Sequence, residues 1–109
     1  MRTTSIPRGH TELAFAYAGT PYGHVPGHHY HDVDVSISRR GNAYRVHVCE
    51  TWGDAQGYDR EAGRLEAFGY GTSVEQAVDC AERKGITIGI DCQLAARALA
   101  LAADKAIQE

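Results

Sequence analysis

The sequence predicts an α+β domain, with a three-stranded antiparallel sheet packed by two C-terminal helices and a short apolar run, residues 85–90, as a candidate fourth strand. Three observations predict it. Residues 32–49 alternate apolar and polar side chains around a Gly41-Asn42 turn, the pattern of a half-buried hairpin. Residues 68–85, FGYGTSVEQAVDCAERKG, read as a strand end, a glycine corner and a capped helix. From Asp91 onward the chain is rich in alanine and leucine at helical spacing behind a good N-cap. With 109 residues, the whole span 1–109 is expected to be a single domain.

Residues 1–10 are polar, contain Pro7 and Gly9, and are expected to form a flexible arm. In residues 11–18, TELAFAYA, the alternation of Leu13, Phe15 and Tyr17 suggests a strand, while the alanines and Glu12 also permit a helix. Residues 19–30 hold two prolines and three glycines and read as a loop. Val33, Val35 and Ile37 then face one way, and Asp32, Asp34, Ser36 and Ser38 the other. With Gly41-Asn42 as the turn, Arg40 meets Ala43, Ile37 meets Val46 and Val35 meets Val48. On the opposite face Ser36 meets His47, and Asp34 meets Cys49. Val33 against Glu50 breaks the rule, so a fray or bulge is expected there.

Residues 53–63 form a polar connection, and Leu65 to Tyr70 the third strand, with Leu65 and Ala67 on one face and Glu66, Phe68 and Tyr70 on the other. Thr72 with Glu75 and Ser73 with Gln76 are overlapping capping boxes. Val74, Ala77, Val78 and Ala81 give the apolar stripe of a helix expected over 73–84, with Gly85 ending it. The second helix is expected over 92–107, its stripe made by Leu94, Ala98, Leu101 and Ala102 with Ala95 and Leu99.

Hydrophobic content of 43% and charged content of 23% are those of a soluble globular domain. No apolar run is long enough for a membrane span, and no apolar segment follows the basic N-terminus as in a signal peptide, so no membrane association is expected. Three unclustered cysteines, Cys49, Cys80 and Cys92, do not make a disulfide framework or zinc ribbon and point to a reducing cytoplasm. A net charge of −3 argues against nucleic acid as a direct ligand.

Gly69, Gly71, Thr72, Ser73, Glu75, Ala77 and Ala81 resemble the strand-to-helix end of the double-stranded RNA-binding domain. They are also similar to the same step in HicB-type antitoxins. The RNA-binding family places lysines on the first helical turn, where this chain has Val74, Glu75 and Gln76, so RNA binding is not implied. In kind, a short, mildly acidic α+β chain resembles the small phage- and plasmid-encoded inhibitors of host defence, of which anti-CRISPR proteins are one group.

His24, His28, His29 and His31 crowd the entry to the first hairpin strand, and His29 and His31 share strand parity. Imidazoles suit zinc or nickel, so His28, His29 and His31 are the candidate ligands of a metal-binding alternative, although no second ligand cluster accompanies them. Cys92 at a helix start is a candidate nucleophile, with His47 or a loop histidine as its base. No nucleophile–base pair, paired carboxylates or phosphate loop assembles by spacing, so no enzyme activity and no cofactor are expected. The favoured reading is a non-enzymatic protein-binding inhibitor or regulator, with a HicB-like regulatory module as an alternative and a homodimer as an open assembly. Its contact residues would be Glu50, Asp54, Asp59, Glu61 and Glu66, an acidic hairpin aimed at a partner's basic nucleic-acid-binding surface, with Phe68 and Tyr70 as anchors.

Overall fold

The structure, a computed structural model, describes residues 2–19, 29–54 and 60–108, with the side chains of all but residues 29, 30, 54 and 60–62. Among the described residues the elements are β1 (Thr11–Gly19), β2 (His29–Arg40), β3 (Ala43–Asp54), β4 (Arg60–Gly71), α1 (Val74–Ile88) and α2 (Cys92–Ile107). The strands form one antiparallel meander in the order β1-β2-β3-β4. The α+β class is as the sequence predicts. The fourth strand is residues 11–19, while residues 85–88 continue α1.

The central hairpin has the predicted register: Arg40 pairs with Ala43, Ile37 with Val46, Val35 with Val48 and Asp34 with Cys49. The expected break at Val33 and Glu50 does not occur. That pair forms, and the ladder continues unshifted to His29 and Asp54. The register shift lies instead between β3 and β4, at Trp52 and Gly53. Glu50 stays in register because its buried carboxylate has partners of its own, described below.

Both helices cover one face, α1 over β4 and α2 over β1 and β2. Side-chain size grades across the sheet. Val33, Val35, Ile37, Val46 and Val48 fill its middle at 0–1% exposure, while Ala14, Ala16 and Ala18 lie at one margin and Ala67 and Gly69 at the other. A Cβ on Gly69 would stand 2.1 Å from the Ala77 carbonyl oxygen and 2.4 Å from the Ala81 nitrogen. The backbone of α1 therefore rests directly on β4.

Helix α1 starts by the second of the overlapping boxes. Ser73 Oγ accepts the Gln76 N–H at 3.1 Å, and Gln76 Oε1 accepts the Thr72 N–H and hydroxyl at 2.9 and 2.8 Å. It ends four residues beyond the predicted stop. Gly89 takes the left-handed conformation (φ 95°), its N–H donates to the Ile86 carbonyl, and the Ile90 N–H donates to the Gly85 carbonyl at 2.9 Å. Gly85 is buried inside the helix, where a Cβ would touch Ile90 and Ala67, so it serves close packing and not termination. Helix α2 has the predicted span and cap, with Asp91 Oδ1 accepting the N–H groups of Gln93 and Leu94. Its buried stripe is Leu94, Ala95, Ala98, Leu99, Ala102 and Ala106. Leu101, placed in that stripe by the sequence, is 49% exposed because it lies past the stripe's edge. No helix among the described residues is long and apolar enough to cross a membrane.

The opposite face of the sheet is polar, and the N-terminal segment lies across it. The expected loose arm is in fact tied down over residues 2–10, because Asp34 accepts the Thr3 and Thr4 N–H groups and the Thr3 hydroxyl at 2.7–3.0 Å. Arg2 stacks on Phe15, Thr4 bonds Ser36, and His10 bonds Ser38. Gly9, at φ 89°, turns the segment into β1.

Since the Gly69 contact is with helix backbone, Gly69→Ala is expected to destabilise the fold by about 1–3 kcal/mol, the range for forcing atoms into a packed site. Gly41→Asn, at a turn position with φ 60° and no atom within 4 Å of a Cβ, is expected to cost under about 1 kcal/mol. Urea denaturation of the two variants checks the ranking, and equal midpoints would contradict the close seating of α1.

Candidate functional site

The margin formed by β4 is where the fold leaves room for another molecule. Among the described residues β4 has a neighbour on one side only, β3, and their pairing runs without a shift from Gly63 to Gly71. Because small residues let α1 settle onto the strand, the flank of α1 and the outer side of β4 enclose a groove of about 550 Å³. Glu66, Ala67 and Phe68 form its strand wall, and Cys80, Arg83, Lys84, Thr87 and Ile88 its helix wall. The wall residues of β4 come from both faces of the sheet, so the groove wraps the strand's edge. Tyr70, 57% exposed, extends the strand wall, with the Lys84 ammonium 5.9 Å from its ring centre.

The other margin, β1, carries a more polar groove of about 520 Å³ between Glu12–Phe15 and the end of α2, Lys105 and Gln108, but its strand edge is obstructed. A register shift between Glu12 and Ala14 distorts it, and Lys105 of α2 donates to the Phe15 carbonyl at 3.0 Å. Bulges and lysines at an edge are the usual means of blocking strand addition.

The residues singled out as partner contacts scatter. Glu50 is buried on the helix side of the sheet, at 4% exposure, and is not presented to solvent. Glu66 is exposed, but its carboxylate accepts a hydrogen bond from His47. Asp59 and the side chains of Asp54 and Glu61 lie outside the described residues. Phe68 is half-buried, stacked on His47 at 4.4 Å with Arg45 over its ring, so only Tyr70 of the two anchors is open.

His47 joins β4 to the N-terminal segment. Its Nδ1 accepts the Ser5 N–H at 3.0 Å, which places the ring proton on Nε2, and Nε2–H donates to Glu66 Oε1 at 2.7 Å. Arg45 donates to the Ser5 carbonyl at 2.8 Å. Burial lowers the His47 pKa from its ordinary 6.5, against the opposing pull of Glu66. Burial likewise pushes the Cys49 thiol up, which suits an inert core group.

On the helix side, His31, Glu50 and Asp91 converge where β2, β3 and the start of α2 meet. His31 Nε2–H donates to Glu50 Oε2 at 2.5 Å, and the Asp91 backbone N–H donates to the same oxygen at 3.0 Å. His31 Nδ1 lies 4.0 Å from Asp91 Oδ2. Of the expected metal candidates, His31 is here, while His24 and His28 and the side chain of His29 lie outside the described residues. The sequence reading had Glu50 as a surface acid and Asp91 as a cap. The only signal of their meeting was the misfit of Glu50 in an apolar stripe. Cys92 is exposed on this side and His47 faces the other, so the sheet separates the proposed nucleophile from its base.

The linkage of His47 to folding has a definite sign. Its folded pKa lies below 6.5, so above that value both states hold a neutral ring and stability is unaffected. As pH falls below 6.5 the unfolded chain takes up the proton first, and stability declines until the folded pKa is reached. Urea midpoints measured between pH 7.5 and 5 are expected to fall more in the native chain than in His47→Gln. An equal decline in both would show that the Ser5–His47–Glu66 link does not hold a neutral ring.

No protein-family model matches the chain, and neither a curated protein nor a solved structure matches it.

Proposed function

We propose that the chain is a non-enzymatic protein-binding regulator or inhibitor that captures an extended segment of its partner along β4. The observation that supports this reading above others is the difference between the two sheet margins: both carry a groove, but the β1 edge is obstructed by a bulge and Lys105 beside a more polar groove, whereas β4 is unshifted beside an apolar one. Strand addition to such an edge takes its affinity from main-chain hydrogen bonds and its specificity from the alternate side chains that enter the groove.

The groove selects for chemistry. Its walls are largely apolar, with Ala67, Phe68, Cys80 and Ile88, and the helix wall also carries Arg83 and Lys84. A segment that alternates apolar and acidic residues complements both. The partner is therefore read as a protein with an acidic extended segment, in place of the basic surface that the acidic hairpin suggested, since Glu50 is buried and Glu66 is bonded to His47. An inhibitor of the anti-defence kind would act by occupying such a segment of a host complex. A HicB-like module would use the same edge toward its own partner.

Peptides selected from a random phage-displayed library against the protein are expected to alternate apolar and acidic residues and to shift the backbone amides of residues 63–71 in NMR spectra. Their affinity is expected to fall at least about tenfold, or 1.4 kcal/mol, in Arg83→Glu/Lys84→Glu. Selected peptides without acidic bias, or shifts confined to β1, would overturn the reading. A concentration-dependent dimer whose β4 amides are the ones protected would make a second copy the occupant instead.

A further inference from the structure

We infer that His31, Glu50 and Asp91 form a binding site for a first-row divalent cation, zinc or manganese, that clips the start of α2 to the sheet. Three donor atoms, the His31 imidazole nitrogen and one carboxylate oxygen each from Glu50 and Asp91, lie within 4.8 Å of one another. An ion of this class sits about 2.0–2.2 Å from each donor. Closing from the present spacing to that distance asks for rotation of His31 and Asp91, both 36% exposed at the side chain.

The independent observation is the position of Glu50. Every other strand residue buried on the helix-facing side, among those described, is apolar or small, and Glu50 sits among them at 4% exposure, in register with Val33 and Leu65. A buried carboxylate is costly unless it meets a cation or several donors. Asp91 divides its work in a way that fits an ion. Oδ1 accepts the N–H groups that open α2, while Oδ2 is the oxygen turned toward His31. The backbone N–H of Asp91 also holds Glu50, the kind of outer contact that orients a ligating carboxylate.

Two carboxylates balance the dication, and their oxygens with one imidazole are the donor set that zinc and manganese accept. The positive end of α2 opposes the ion, and the Asp91 cap partly offsets that. On binding, the ion takes the place of the Nε2–H that bridges His31 to Glu50, and the ring keeps its single proton on Nδ1. The exposed side of the cluster leaves the remaining coordination positions to water.

Calorimetric titration of the full chain with zinc chloride, and separately with manganese chloride, tests the site. One equivalent of at least one ion is expected to bind, and the melting temperature is expected to rise. Asp91→Asn keeps the helix cap and Glu50→Gln keeps an acceptor for the Asp91 N–H, so both should fold. Each is expected to weaken binding at least tenfold, and His31→Ala to abolish it. No binding of either ion would overturn the inference. So would binding of unchanged strength in Asp91→Asn and His31→Ala, which would assign the ion to the histidines before β2.

Discussion

The contact between Gly69 and the backbone of α1 is the constraint on which the rest of the arrangement depends. A strand normally holds a helix away by the thickness of its side chains. Here Ala67 and Gly69 present almost none, and Ala77, Ala81 and Gly85 answer them from the helix. The approach gains dispersion contacts along the seam and fixes the helix in position, since any Cβ at Gly69 would collide with main chain. It has a second effect at the margin. A helix seated this low leaves its flank, Arg83, Lys84 and Ile88, level with the outer side of β4, and the groove is the space between them. Seating the helix and shaping the groove are one choice of small residues.

Glu50 plays a comparable part at the other end of the sheet. A carboxylate in an apolar stripe should have broken the ladder. It does not, because His31 from β2 and the Asp91 N–H from the turn before α2 supply its hydrogen bonds. Those two partners come from separate parts of the chain, so the group that is most expensive to bury also ties β2, β3 and α2 together. Removing one partner would leave the carboxylate buried and short of a bond, and such loss is worth more than the bond's own net contribution.

What was legible in the sequence followed from local period. The hairpin register could be read because apolar met apolar at Ile37–Val46 and Val35–Val48 and the turn was unambiguous. The span of α2 could be read because Asp91 preceded a continuous stripe. The stop of α1 could not, because Gly85 and Gly89 offer the same signal, and only the packing of Ile90 and Ala67 on Gly85 decides between them. Residues 2–10 looked loose because their partners, Asp34, Ser36 and His47, lie 31 to 42 positions away. The groove was invisible for the same reason: its walls come from Glu66–Phe68 and from a helix face that reads as ordinary solvated surface. The misfit of Glu50 was visible, but its meaning required Asp91, 41 positions on.

The two faces and two margins of the sheet can be weighed against one another. One face is covered by α1 and α2, and the other is crossed by the N-terminal segment from Arg2 on β1 and β2 to Ser5 on β3. That leaves the margins, with Tyr17 and Tyr70 exposed at the two sides of the crossed face. β1 is further bound by α2, which places Lys105 on its carbonyls, so a strand arriving there would have to displace a charged hydrogen bond and accommodate a bulge. At β4, among the described residues, no second strand lies beside the edge, and its outer side opens onto the groove. The strand nearest the chain's start is thus fixed by the helix nearest its end, and the edge proposed to receive a partner falls to β4. There the His47–Glu66 bond holds the polar side of the strand against the segment that covers the far face. Glu66 and Phe68 both touch His47, and His47 holds Ser5, so the arm and the edge share one set of contacts.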